Sequence, residues 1–123
     1  MTIIEAINRI DILKPNTYTP EIKTYWLSRL DGIVFEKIIK THEGAESKEF
    51  NGYTEETALD TVLLIPAPYD DIYLKWLEAQ IDYANGEYDK YNNVIIAYND
   101  AYTEFARHYN RTHMPKGNSI KYF

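Results

Sequence analysis

The chain contains no cysteine, which excludes a disulfide frame, a thiolate nucleophile and a zinc–thiolate site. Its histidines, His42, His108 and His113, include no pair four residues apart, so a His-Glu-x-x-His metal helix is missing. Basic residues are outnumbered by acidic ones. Thirteen Lys and Arg against 19 Asp and Glu leave a net charge of −6, and repulsion from phosphates argues against tight, sequence-independent nucleic-acid binding. Long apolar runs are also missing: the longest, Val62 to Ala67, holds a proline and is too short to span a bilayer. No Gly-x-Ser-x-Gly elbow and no glycine-rich phosphate loop occurs. Met1 is followed by a polar, amphipathic start, so no secretory leader is expected and the chain reads as a soluble cytoplasmic product.

What the chain does have is tyrosine, 12 in 123 residues. Much of it lies in one pattern. Leu74, Leu77, Ile81, Ala84, Tyr88, Tyr91, Ile95, Tyr98, Tyr102, Phe105 and Tyr109 recur at alternating steps of three and four. A helix turns once in about 3.6 residues, so this spacing lays them along one face. The stripe is aliphatic before Gly86 and mostly aromatic after it. A tyrosine ring is an apolar slab with a hydroxyl at its tip, which suits surfaces that are buried but partly wet. Tyr88, Tyr91, Tyr98, Tyr102, Phe105 and Tyr109 are therefore the candidate packing or subunit-interface residues. Core filling is the alternative reading of the same six.

The remaining signals predict a mainly α fold: a small helical bundle with a long C-terminal helical pair. Thr2 with Glu5 fits a capping box, and Ile3, Ile7, Ile10 and Leu13 make one apolar face that stops before Pro15. Thr19-Pro20-Glu21 combines a cap, a preset φ and an acid at the positive end of the helix dipole. From there Ile22, Trp26, Leu30, Ile33 or Val34, and Ile38 keep helical spacing to about Thr41, with Asp31-Gly32 as a tolerated flaw or a tight helix contact. Between the second and third helices, Asn51-Gly52 predicts a short β-hairpin or an extended loop. Pro66-Ala67-Pro68 bars a helix, and Tyr69-Asp70-Asp71 opens the third one. At Asn85-Gly86 two geometries stay open, a kinked helix to about Arg111 or a break that folds back so that two aromatic faces meet. The break is the preferred reading. Predicted helices lie near 2–13, 20–41, 69–85 and 88–111, in a single domain of residues 1–115 with a tail over 116–123.

Candidate chemistry is thin. Glu78 with Asp82, and Asp100 with Glu104, each sit one helical turn apart, but paired carboxylates need a cleft and partners from other elements to do acid–base or metal work. Solvated acids on an amphipathic helix explain them as well. Trp26 and Trp76 fall on apolar helix faces, where core packing is the default over a ligand platform. Asn110-Arg111-Thr112 matches a glycosylation acceptor, which matters only after secretion. No catalytic residue, metal ligand or cofactor-binding residue is assigned, and no enzyme activity is expected.

One resemblance adds to this. Ile65-Pro66-Ala67-Pro68-Tyr69-Asp70-Asp71-Ile72-Tyr73, Glu78-Ala79-Gln80-Ile81-Asp82-Tyr83, Asn85-Gly86-Glu87, Tyr91-Asn92-Asn93 and Tyr109-Asn110-Arg111-Thr112-His113-Met114-Pro115 carry it. The chain resembles small proteins encoded in phages and prophages of Gram-positive bacteria, similar in plan to head–tail adaptor proteins. The resemblance covers the C-terminal half, and the N-terminal helices only in layout. It departs from the best-known adaptors, whose central helix is more aliphatic and whose following segment is shorter. What the resemblance implies is a structural subunit of a ring in the virion neck, assembled in the host cytoplasm between the portal and tail completion proteins. A small helical regulator that binds one partner without forming a ring is the alternative.

Overall fold

In the computed structural model, which describes residues 1–116, four helices follow one another: α1 (Ile3–Leu13), α2 (Pro20–Val34), α3 (Ile72–Ala84) and α4 (Tyr88–Thr112). A π-helical turn, Phe35–Ile39, continues α2. No strand is formed among the described residues, only isolated bridges at Thr2–Val62 and His42–Pro115. The mainly α reading is correct, and each predicted helix lies within a few residues of its expected bounds.

The starts are the ones the sequence announces. Thr2 Oγ1 accepts from Glu5 N–H at 3.2 Å while Glu5 Oε1 accepts from Thr2 N–H at 3.0 Å, closing the capping box. Thr19 Oγ1 accepts from Ile22 N–H at 3.3 Å, with Pro20 in the first turn. α3 ends in a Schellman motif. Gly86 takes a φ of +76°, letting Glu87 N–H reach Asp82 O at 2.9 Å and Gly86 N–H reach Tyr83 O at 3.0 Å. The chain then folds back, so α3 and α4 form a helical hairpin and not one kinked rod.

α1, α2 and α3 pack on one another around Ile3, Ile7, Ile10, Leu27, Leu30, Val34, Ile72, Leu77 and Ile81, all essentially without solvent contact. α4 lies against α3. On α2 the buried face differs from the one expected. Lys23, Thr24, Leu27, Leu30, Asp31 and Val34 face the core, while Ile22 is exposed and Trp26 half-buried. The apolar spacing is thus rotated by about one residue, because a polar contact described below pulls Asp31 inward.

The hairpin expected at Asn51-Gly52 is not formed; the segment is the extended loop. Gly52 does adopt positive φ, +85°, but the backbone on either side of it forms no ladder. Tyr53 N–H donates to Ser28 Oγ at 2.9 Å, and the Phe50 ring lies 6.2 Å from that of Phe35 and 5.1 Å from that of Tyr53. Further along, Ile3 N–H bonds Thr61 O and Leu63 N–H bonds Met1 O, so the loop straps the start of α1 while Leu63 and Ile65 enter the core.

Candidate interaction surface

The six aromatic residues singled out on the C-terminal stripe divide into two sets. Tyr98 and Phe105 are core residues, 7% and 1% exposed. The Tyr98 ring sits 5.1 Å from Trp76, and Phe105 sits 6.0 Å from Tyr69. These are the two aromatic faces meeting across the hairpin. Tyr91, Tyr102 and Tyr109 are half-buried and Tyr88 is exposed. Tyr88 and Tyr91 gather with Tyr83 at the α3–α4 corner, edge to face at 5.5 and 5.2 Å. Tyr109 ends the stripe, stacked on His113 at 3.8 Å with the His42 ring edge-on at 4.8 Å. Burial raises the phenol pKa of Tyr98, Tyr102 and Tyr109.

At that end of α4 His42, from a distant part of the chain, comes within 6.4 Å of the His113 ring. His42 is buried. Its Nδ1 lies 2.5 Å from Ile38 O and its Nε2 2.7 Å from Asn110 Oδ1. His42 N–H bonds Ile39 O, which leaves Ile38 O to the Thr41 hydroxyl and the His42 ring. His108 lies against Tyr69, ring centroids 4.6 Å apart. His108 and His113 border a cleft of about 340 Å³, with Lys48 at its edge and Leu64, Pro66 and Phe105 among its walls. Among the described residues no group of three or more His, Asp or Glu is placed to hold a metal ion.

The carboxylate pairs have separate fates. Asp82 is fully buried and meets Lys14 as an ion pair, without a directional hydrogen bond to either oxygen; Glu78 lies 3.7 Å from the same ammonium. This pins the end of α1 to α3. Asp100 and Glu104 are exposed on α4.

The most connected polar site is one the spacing did not disclose. Asp31 is fully buried. Its Oδ1 accepts from Tyr73 Oη–H at 2.6 Å, and its Oδ2 accepts from Tyr53 Oη–H at 2.5 Å and Leu64 N–H at 3.0 Å. Tyr73 Oη in turn accepts from Ile65 N–H at 2.8 Å. Burial raises the Asp31 carboxyl pKa, against the lowering effect of these bonds. The Tyr53 and Tyr73 phenols are pushed up by burial and then by the carboxylate they face. Both hydroxyls are thereby held as donors. Both donate to the one carboxylate, and Tyr73 Oη also accepts from the loop backbone, tying α2, α3 and the long loop together. Lys23 does similar work between α1 and α2, donating from a buried ammonium to Asp11 Oδ1 at 2.6 Å and Tyr18 O at 2.7 Å. A signal for Asp31 existed: it stands four residues after Leu27 and three before Val34, on the apolar face itself.

Comparison with protein-family models, curated proteins and solved structures finds no match. No helix among the described residues is long and apolar enough to cross a membrane.

Proposed function

We propose that this protein acts by association, as a phage head–tail connector subunit joining a ring between portal and tail completion proteins. The observation that supports association most is the state of α4. This helix runs 25 residues, yet only Tyr98 and Phe105 of it are buried. Tyr88 and Ile96 stand 56% and 61% exposed, and Tyr91, Tyr102 and Tyr109 are half-covered. Aromatic side chains of this kind are enriched where protein surfaces meet. The connector identity rests on the C-terminal resemblance. A ring is compatible with the fold, because heterologous contacts close when the rotation between neighbours permits. A negatively charged lumen would let DNA pass without sticking, since attraction to phosphates would retard it.

Deleting the gene tests this reading. Connector loss should leave DNA-filled heads that leak or fail to join tails. Normal infectious particles from the deletion, or capture of a host enzyme in place of the portal, would favour the single-partner regulator instead.

A further inference from the structure

The α3–α4 hairpin carries unlike features at its two ends. At the corner, Tyr88 projects from the first residue of α4, 56% exposed, between Glu87 and Asp89. Glu87 is committed to Lys90 at 2.5 Å. Asp89 is exposed and has no ion-pair partner among the described residues. At the opposite end, Phe105 forms the inner wall of the cleft of about 340 Å³, beside Leu64 and Pro66. Seventeen residues separate Tyr88 from Phe105, or about 26 Å along the helix axis at 1.5 Å per residue. The cleft lining also includes the Lys48 ammonium and the imidazoles of His108 and His113. Lys48, like Asp89, is exposed and has no ion-pair partner among the described residues.

From this we infer a head-to-tail contact between copies of the chain, in which Tyr88 of one copy enters the cleft of the next and Asp89 meets its Lys48. The inference rests on the association reading above and names its contact. Size fits: small-molecule pockets run from about 300 to 1,000 Å³, so this cleft is at the small end and accepts one aromatic side chain. Charge fits as well. An apolar slot edged by a lysine and imidazoles favours an aromatic ring that brings its own carboxylate, and Tyr88-Asp89 offers both on adjacent residues. One projection and one slot about 26 Å apart on every copy can be used in two ways. Two copies about a two-fold axis would exchange both contacts and close as a dimer, whereas copies in a row leave a free projection and a free slot, and repetition gives an open row or a closed ring. The association reading calls for the row, and a discrete two-fold dimer in solution would contradict it.

The absence of native cysteine makes the test clean. Asn92→Cys places a thiol one turn beyond Tyr88, and Ser47→Cys places one beside Lys48; both positions are exposed. Each single variant is mixed with the other under mild oxidation, at the highest concentration the protein tolerates and also bound to the phage portal. Asn92→Cys paired with Thr103→Cys, exposed in the middle of α4, is the control. The expected result is a mixed disulfide forming roughly tenfold faster for the Asn92–Ser47 pair than for the control. Tyr88→Ala, or the charge reversals Asp89→Lys and Lys48→Glu made singly, should abolish that advantage. The two reversals together should restore it to within about twofold. No preference over the control on either footing, or reversals that do not compensate, would overturn the contact. Portal binding that persists while the disulfide fails would overturn this interface and leave the connector reading standing.

Discussion

Replacing Tyr73 by Phe removes a single oxygen from the centre of the fold. That oxygen does two things: it donates to the Asp31 carboxylate at 2.6 Å and accepts from Ile65 N–H at 2.8 Å. A hydrogen bond to a charged group contributes about 1.5–3 kcal/mol, and a buried donor left without a partner costs about 1–3 kcal/mol. Asp31 keeps Tyr53 and Leu64, so the terms do not sum in full, and a loss of about 3–4 kcal/mol is expected. Against a typical domain stability of about 5–15 kcal/mol this leaves the chain folded but lowers Tm by roughly 10–20 °C. Tyr53→Phe is the internal comparison. Its hydroxyl bonds the same carboxylate from a half-buried position, where water can replace it, and about 1–2 kcal/mol should be lost. Urea unfolding followed by tryptophan fluorescence and by circular dichroism gives both values. If Tyr73→Phe proved no more destabilising than Tyr53→Phe, the buried carboxylate would not be the point that holds the loop to the helices.

Other expectations follow the same geometry. Ile81→Ala, at a site with no solvent contact, should cost about 2–5 kcal/mol, and an unchanged melting curve would contradict the α1–α3 packing. Lys14→Ala strands the buried Asp82 carboxylate and should cost about 2–4 kcal/mol, with Asp82→Asn in the same chain recovering part of the loss. Tyr53, Tyr73, Tyr98, Tyr102 and Tyr109 all have native pKa values above the ordinary 10.0. The native state therefore holds phenol protons that the unfolded state releases. Their contribution is intact below pH 10.0 and is lost as pH rises from there. The urea midpoint should be level below about pH 10 and fall steadily above it, and a flat profile would show these phenols to be free in the native state.

Much of the helical layout was legible because it rests on local rules. The Thr2–Glu5 box, Thr19-Pro20 and Asn85-Gly86 each act within one turn of backbone, and each does in the structure what its chemistry demands. The aromatic stripe was legible as a face, and its division into two halves was legible from Asn85-Gly86 and not from the spacing. Spacing along a helix is blind to the reversal at Gly86, which sets Trp76 against Tyr98. The Asn51-Gly52 turn signal failed for a non-local reason: Ser28 and Phe35 capture the residues that would have formed the second and first strands. Asp31 was hidden by the same kind of effect. Its partners Tyr53, Leu64 and Tyr73 lie 22 to 42 residues away, and only the fold brings them together. The cleft at the end of α4 is likewise assembled from three distant segments, around Ile39–Lys48, Leu64–Pro66 and Phe105–His113.

The proposed role, joining a portal-bound ring, is tested most directly by sedimentation of the purified protein with a portal protein encoded in the same genome. Size in solution alone does not decide it, because a ring subunit can stay monomeric until a template orients it. The account predicts co-sedimentation with a fixed number of copies per portal, and loss of that binding when Tyr88 and Tyr109 are replaced while the far-UV spectrum stays helical. A protein that stays at the top of the gradient with the portal below it, at concentrations where tail completion still proceeds, would contradict the claim.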